Sequence, residues 1–178
     1  MKAKRDWDLA MLESVDFSRV KKRTRDAVRA RDGANKHDYF MAVAHVRFIL
    51  RKVFRMIEEK AKDVGLEPLA HQALLQIYGS PQQQLRVSEL ADRLDIAPAF
   101  ASNLIKGLVK QKFIKRESVP NDLRVTVLRM TAAGRDVCHR IDAEVRPLVN
   151  QFTNKLSVDE RETALSILMF YVGPGASR

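Results

Sequence analysis

The sequence predicts a mainly α-helical fold with one small β-hairpin, and three observations support this. Apolar residues recur at three- and four-residue steps between residues 38 and 64, which is the period of an amphipathic helix. Two short amphipathic segments follow at 85–95 and 96–113. Two β-branched stretches, FIKRESV and RVTVLRM, then flank a turn at residues 120–122, which is typical of a hairpin.

The chain of 178 residues is strongly basic, with 32 Lys and Arg against 22 Asp and Glu and a formal charge of +10. The excess is concentrated in two segments. Residues 1–36 hold 11 positive and 6 negative side chains, and residues 81–135 hold 10 and 5. Such a surplus favours a polyanionic partner, either nucleic acid or an acidic membrane surface.

The cysteine content and hydropathy favour a cytoplasmic protein. Cys138 is the only cysteine of the sequence, so no intrachain disulfide can form, and a reducing compartment is expected. No apolar run approaches the roughly 18 residues that would span a bilayer, and the first residues lack the apolar core of a signal peptide. We therefore expect no membrane span.

The first two segments in chain order point to a surface for self-association. Residues 1–36 form either a short docking helix or a free basic arm. Residues 38–64 form a helix that is about 40 Å long at about 1.5 Å per residue. A helix of that length overhangs a compact core in a chain of this size, which favours dimerisation.

The middle of the chain predicts two helices joined by a tight connection. A helix over residues 68–78 is stopped by the Gly79-Ser80-Pro81 sequence. Ser88 is placed to cap the next helix, and Pro98 stands at the first position of the one after it. The connection between these two helices, at residues 95–97, makes a helix-turn-helix.

The hairpin that follows makes this a winged helix-turn-helix lobe, in which the second helix of the motif enters the major groove of DNA. Thr131 is expected to cap a long helix after the wing. Ser157 and Glu160 are spaced as a capping box for the last helix. The predicted domains are a basic arm or docking helix at 1–36, a dimerisation helix at 37–64, the winged lobe at 65–134 and C-terminal dimerisation helices at 135–178.

The motifs of this lobe carry a family resemblance. Asp122-Leu123-Arg124, followed after five residues by Met130-Thr131-Ala132-Ala133-Gly134, looks like the wing signature of the multiple-antibiotic-resistance regulator (MarR) family. The segment LRVSELADRLDIAPAFASNLIKGLVKQKFIKR resembles that family's helix-turn-helix, and GLEPLAHQALLQIYG resembles the preceding helix. In element order the resemblance covers about residues 38–170.

The resemblance implies a homodimer whose two lobes read a pseudo-palindromic operator in double-stranded DNA. It also implies that Asp122 orients Arg124 and that Arg124 makes the minor-groove or phosphate contact of the wing. Three positions depart from the family pattern. Leu123 replaces a basic residue, Lys112 replaces the glycine that ends the recognition helix, and Gly107 lies inside that helix, where glycine costs up to about 1 kcal/mol relative to alanine.

The expected recognition helix has a core face and a DNA face. Asn103 can pair with an adenine edge, Ser102 can reach a base or a phosphate, and Ala99 or Phe100 can contact a thymine methyl group. Simpler interpretations stay open: Phe100 is a core residue, Asn103 and Ser102 are merely solvated, and Ser88 is only a cap. The predicted DNA contacts beyond those four are Ser88, Lys106, Lys110, Lys115, Arg116, Asn121, Asp122 and Arg124.

The sequence offers no catalytic or metal-binding pattern, so we expect a protein that is not an enzyme and has no cofactor and no metal. A redox role for Cys138 is disfavoured by the resemblance, because the oxidant-sensing regulators that the chain resembles carry the reactive cysteine near the amino-terminal helix. Arginines at 47, 51 and 55 repeat at four-residue steps on one helix face. They form either a solvated face or part of a site for an anionic ligand, for which the predicted residues are His45, Arg47, Phe48, Arg51 and His71.

The combined prediction is a homodimeric, sequence-specific transcriptional repressor. The resemblance implies release from DNA by a small aromatic acid or by its acyl-coenzyme A thioester. Two alternatives remain at this point: a DNA-architectural protein of the same fold that responds to no effector, and a basic module that binds an acidic membrane surface or another protein.

Overall fold

The computed structural model describes residues 17–33, 36–119 and 122–172. Over these ranges it is mainly helical with a small antiparallel sheet, so the predicted fold class is confirmed. The elements are α1 (Phe17–Arg31), α2 (His37–Asp63), α3 (Pro68–Tyr78), β1 (Gln84–Arg86), α4 (Val87–Leu94), α5 (Pro98–Lys110), β2 (Ile114–Val119), β3 (Asp122–Met130), α6 (Ala132–Thr153) and α7 (Val158–Val172).

The chain divides into two compact units. One, the lobe, comprises residues 52–145, and the other, the helical unit, combines residues 1–51 with residues 146–178. The domain boundaries expected from the sequence, after residues 36, 64 and 134, stay a prediction.

The lobe is built around a continuous hydrophobic core to which all its main elements contribute. Helix α3 supplies Leu74 and Ile77, both with no exposed area, because its apolar residues recur on one face. Burial of this apolar surface is the main favourable term in folding the lobe. Other members of the core are Ala61, Leu66, Leu85, Leu90, Ile105, Leu108, Ile114, Leu128, Val137 and Ile141.

The sheet of the lobe has three strands in the order β1-β3-β2, with both neighbours antiparallel to β3. The hairpin formed by β2 and β3 was predicted from the sequence, whereas β1 was not. Leu85 of β1 lies opposite Leu128 of β3, and both are buried. The pairing is irregular between Ser118 and Val119, near the hairpin tip.

The turn that ends helix α5 contains a lysine, Lys112, where the family pattern has a glycine. Lys112 adopts a left-handed backbone with φ of 61°, the conformation that glycine usually supplies after a helix. The Lys112 N–H donates to Val109 O at 2.9 Å, and the Phe113 N–H donates to Leu108 O at 3.0 Å. The helix therefore ends in a glycine-type turn, although no glycine is present.

The start of α6 requires the glycine of the predicted wing signature. A Cβ atom at Gly134 would overlap the carbonyl oxygen of Phe113 and the Sδ atom of Met130. Thr131 caps the helix as predicted, because its Oγ1 accepts a hydrogen bond of 3.1 Å from the Gly134 N–H. The first turn of α6 can therefore pack directly against the backbone of Phe113, the residue that precedes β2.

In the helical unit, residues 17–31 form α1, and residues 1–16 lie outside the described part of the chain. The alternatives for residues 1–36 as a whole, a docking helix or a basic arm, stay predictions. An ion pair between Lys21 and Glu160 joins α1 to α7. The predicted capping box is confirmed, since the Ser157 N–H donates to Glu160 Oε2 at 3.0 Å and the Glu160 N–H donates to Ser157 Oγ at 3.2 Å.

Candidate DNA-binding surface

The turn between α4 and α5 fixes the geometry of the helix-turn-helix. Asp95 adopts a left-handed conformation with φ of 50°, which an aspartate tolerates better than most residues. The Asp95 N–H donates to Asp92 O at 3.2 Å, and the Ile96 N–H donates to Ala91 O at 3.1 Å. Helix α4 therefore stops within one residue, and α5 begins at Pro98 in a new direction.

Helix α5 separates a buried face from an outward face as predicted. Ala101, Ile105 and Leu108 are at most 1% exposed, and Leu104 packs partly against the same core. This leaves the opposite side of the helix facing solvent. Ala99, Phe100, Asn103, Lys106 and Lys110 are exposed there, and Ser102 is half-buried.

Phe100 is 54% exposed, so the interpretation of this residue as part of the core is wrong. It lies in the first turn of α5. An exposed aromatic ring at the start of a recognition helix is placed to contact an apolar base edge such as a thymine methyl group.

The prediction that Ser88 caps α4 is wrong. The helix begins at Val87, directly after β1, so the extended residue Arg86 occupies the N-cap position. The Arg86 N–H donates to Glu89 Oε2 at 3.0 Å, which satisfies a donor that the helix itself leaves unpaired. Ser88 therefore lies inside the first turn with an exposed side chain.

A groove of about 560 Å³ lies where α4, α5 and the sheet meet. It brings together Ser88, Ser102 and Arg116, three of the residues predicted to contact DNA. Three further polar residues on its wall, Arg86, Asp92 and Thr126, were not predicted. The lining residues are Arg86, Val87, Ser88, Ala91, Asp92, Pro98, Ala101, Ser102, Arg116, Val125 and Thr126.

The chemistry of this groove suits an anion. Two guanidinium-bearing residues, Arg86 and Arg116, line it together with two serines, and Asp92 is the one acidic residue among its lining. Hydroxyl and guanidinium groups are the usual donors to phosphate oxygens. Reading the sequence could have found Arg86 only if β1 had been recognised, because that strand places the residue beside the hairpin.

The wing is tied to the rest of the lobe by Arg129. Its Nε donates to Glu117 Oε2 of β2 at 2.7 Å, and its Nη2 donates to Gln84 Oε1 of β1 at 2.9 Å. One guanidinium therefore joins all three strands. Lys115 and Arg116 are exposed on β2, and Lys115 lies opposite Arg129 in the register of the hairpin.

The predicted contacts at the wing tip remain predictions. Asn121 lies outside the described residues, and the side chains of Asp122 and Arg124 lie outside the described part as well. What the structure gives for this region is the strand that carries Asp122 and Arg124, which begins at Asp122 and pairs with β2.

Comparison with known proteins agrees with this geometry. A family model described as the MarR family matches residues 64–124. The resemblance to the MarR family is confirmed. The matched segment of about 60 residues contains α3, the helix-turn-helix and the sheet up to the start of β3. Comparison with curated protein sequences gives no match.

Solved structures of MarR-family regulators share the fold of this chain. Sco3205 from Streptomyces coelicolor, solved in complex with DNA, is 21% identical with a TM-score of 0.61, covering 80% of this chain and 90% of its own. AbsC from the same organism is 18% identical with a TM-score of 0.60, covering 81% and 95%. Apo MarR from E. coli is 22% identical with a TM-score of 0.58, covering 74% and 95%.

The predicted effector residues are divided between the two units. In the helical unit, the rings of His45 and Phe48 stack with centroids 6.5 Å apart, and Arg47 and Arg51 are exposed. In the lobe, His71 is 5% exposed, and burial lowers its pKa. An anion site made by these five residues stays a prediction.

The Cys138 thiol, possible metal ligands and possible membrane spans are the other features considered from the sequence. Cys138 is buried in the lobe, and desolvation raises its pKa to about 11, so the thiol is protonated at neutral pH and behaves as a small core residue. Over the described ranges, no group of His, Cys, Asp and Glu is arranged to hold a metal ion. None of the described helices is long and apolar enough to cross a membrane.

Proposed function

We propose that this chain is a transcriptional regulator that binds a pseudo-palindromic operator in double-stranded DNA as a homodimer. The observation that carries the proposal is the two-sided recognition helix α5. Its inner face is packed into the core of the lobe, whereas Asn103, Lys106 and Lys110 face solvent on its outer side. A helix held in this way presents base-reading and phosphate-binding groups on a rigid support.

The roles of these residues follow from their chemistry. Asn103 carries both a donor and an acceptor and can pair bidentately with an adenine edge in the major groove. Lys106, Lys110 and Lys115 hold phosphates, which fixes the register without reading the sequence. The groove beside α5 receives a backbone phosphate through Arg86, Arg116 and the two serines, and Arg124 extends from the wing toward the adjacent minor groove.

Structural relatives support a DNA partner. Sco3205 was solved in complex with DNA, and a mutant of MarR from E. coli was solved with operator DNA. The positive charge of the segment at 81–135 (10 against 5) gives the same region of this chain the electrostatic character that a duplex requires.

A second copy of the chain is the expected partner of the helical unit. Large apolar side chains remain exposed along α2, including Phe40 at 62% and Val46 at 56%. Leu165 of α7 is 61% exposed. Apolar exposure on this scale marks an interaction surface. A twofold symmetric dimer then presents two lobes to half-sites that are about 34 Å apart.

We further propose that the protein is a repressor released by a small anionic or aromatic compound, an aromatic carboxylate or its acyl-coenzyme A thioester. Arg47 and Arg51 supply the positive charge, and the stacked pair of His45 and Phe48 supplies an aromatic surface. Such a ligand can weaken DNA binding only if it prefers a spacing of the lobes that does not fit two successive half-sites.

The experiment that tests the proposed function compares Asn103→Ala with Lys110→Ala on duplexes selected from a random library by the wild-type protein. Loss of Asn103 should relax the preference at one base pair, by about 1–3 kcal/mol. Loss of Lys110 should weaken binding to all sequences alike and lower the slope of log K against log salt by about two units, because each of the two protomers loses a phosphate contact. Identical behaviour of the two variants would contradict these roles.

The same binding assay tests the effector. Phenolic acids and their coenzyme A thioesters are added to the protein on its selected duplex. Release by one class, reduced in an Arg47→Gln, Arg51→Gln variant, supports the proposed site. If no compound of either class shifts binding, the protein acts on DNA without an effector, as an architectural protein of this fold would.

A further inference from the structure

Helix α1 carries a concentration of positive charge that the winged lobe does not explain. Of its 15 residues, seven are Lys or Arg and one, Asp26, is acidic, which gives it a net charge of +6. It lies outside residues 64–124, where the MarR-family model matches. Its function therefore has to be derived from its own residues.

Helix α1 has a buried residue and an ion pair to α7. Ala27 is 6% exposed, and Lys21 pairs with Glu160 of α7 within the same unit. At about 100° per residue, Lys22, Arg25 and Arg29 lie about 140–160° around the helix axis from Ala27. These three residues, named here the α1 stripe, therefore share the face opposite Ala27, and all three are exposed.

The α1 stripe makes no ion pair within the described part of the chain. No ion pair joins Lys22, Arg25 or Arg29 to a described carboxylate. Like charges three and four residues apart destabilise a helix by a few tenths of a kcal/mol per pair. A polyanion laid along the stripe would remove this repulsion, because it supplies several phosphates over the roughly 10 Å that the three residues span.

We infer that the α1 stripe is a second DNA-binding surface, which holds the phosphate backbone outside the segment read by α5 without reading its sequence. This inference rests on the proposed function, because it assumes that the lobes bind a duplex. The groups involved are two guanidiniums and an ammonium on a helix face, with no amide side chain among them. They suit phosphate oxygens and not base edges.

DNA fits this helix better than a lipid surface does. A helix that lies in a membrane interface inserts a broad apolar face opposite its charged one. In α1 the side opposite the stripe is centred on Ala27, which is buried, and the exposed Arg23 and Arg31 lie about 40° to either side of it. That side therefore has no broad apolar face to insert into a bilayer.

The test is a triple variant, Lys22→Gln, Arg25→Gln and Arg29→Gln, compared with an equal loss of charge elsewhere. Glutamine has nearly the helix propensity of lysine and arginine, so α1 should stay folded, which circular dichroism checks. The matched control is Lys62→Gln, Arg140→Gln and Arg161→Gln, three exposed residues outside the surfaces proposed to bind DNA.

Affinity is measured against salt on two duplexes selected by the wild-type protein: the two selected half-sites alone, and the same half-sites with about ten further base pairs on each side. With about 0.9 unit per phosphate contact and three contacts from each of two protomers, the α1 variant should lose about five units of salt slope on the long duplex. It should lose nothing on the short one, and its base preference should not change. The control should match the wild type.

Other outcomes separate this inference from the proposed function. If the α1 variant and the control show equal slopes on the long duplex, the stripe does not bind DNA. If the variant loses binding to vesicles with one-third anionic phospholipid while DNA binding is unchanged, the stripe binds lipid and the inference is overturned. If the wild type selects no sequence at all, the proposed function fails. A slope difference between variant and control on a random duplex would then still support the stripe.

Discussion

The lobe and the helical unit differ in how far their large apolar side chains are buried. In the lobe, Leu74, Ile105 and Leu128 have no exposed area. In the helical unit, residues of similar size such as Phe40 and Leu165 are about 60% exposed. The lobe therefore satisfies its hydrophobic residues within one chain, whereas the helical unit carries residues whose burial requires another molecule.

This difference has an energetic meaning. Burying a large aliphatic or aromatic side chain contributes about 1.5–3 kcal/mol relative to leaving it exposed. The lobe gains this contribution when it folds, and the helical unit can gain it only when it associates. Stability of the lobe should thus depend on its own core, and stability of the helical unit should depend on protein concentration.

The largest expected effect is a loss of stability of the lobe when a core residue is shortened. Leu74→Ala should lower the free energy of unfolding by about 2–5 kcal/mol, because it removes buried methyl groups and leaves a cavity. Leu75→Ala is the matched control, since Leu75 is the next residue of the same helix and is 45% exposed. Urea denaturation followed by circular dichroism measures both.

The control Leu75→Ala shows which result would contradict the prediction that Leu74 lies in the core and Leu75 at the surface. Surface substitutions of this kind usually change stability by no more than about 0.5 kcal/mol. If Leu74→Ala and Leu75→Ala were equally destabilising, the two residues would be buried to the same extent, and Leu75 would have to be covered by a partner. The pair therefore tests whether α3 is complete within one chain.

The next largest effect is a weakening of self-association through the helical unit. Leu50→Glu places a charge on the exposed apolar face of α2, where Leu50 is 49% exposed. In a dimer interface this should weaken association by about 30-fold or more, the range of an interface hot spot. Sedimentation equilibrium measures the change, and Lys62→Glu, an exposed position on the same helix, should have little effect. A wild-type chain that stays monomeric would contradict the proposed dimer.

The same contrast explains how much the sequence could predict. Helices α2, α3 and α5 were found within two residues of their ends, because their signals are local: apolar periodicity and a proline at the first turn of α3 and α5. The caps at Thr131 and Ser157 were also predicted, since each depends on a residue three positions further along.

The misses all depend on contacts between distant parts of the chain. Strand β1 has three residues and pairs with β3 about 40 positions later, so periodicity within β1 cannot reveal it. Missing β1 led directly to the wrong cap at Ser88, because the strand runs into α4 and places Arg86 at the helix start. Arg86 was absent from the predicted DNA surface for the same reason.

The smallest expected effect concerns the tie between α1 and α7. The hydrogen bond from Lys21 lowers the pKa of Glu160, with a further contribution from the Ser157 N–H. A lowered pKa of a carboxyl group in the folded state means that its stabilisation is complete above the unfolded pKa, about 4.3. It is lost as the pH falls through the folded value.

Glu160→Gln isolates this tie, because glutamine can still complete the capping box with Ser157 while it removes the charge that pairs with Lys21. Hydrogen exchange of the α1 amides should be faster in this variant than in the wild type at neutral pH. As the pH falls below about 4.3, wild-type protection should decline toward that of the variant. Glu162→Gln, an exposed position on the same helix, should follow the wild type throughout. Equal α1 protection in all three proteins at neutral pH would mean that packing around Ala27 alone holds the helix, and that the ion pair contributes nothing measurable.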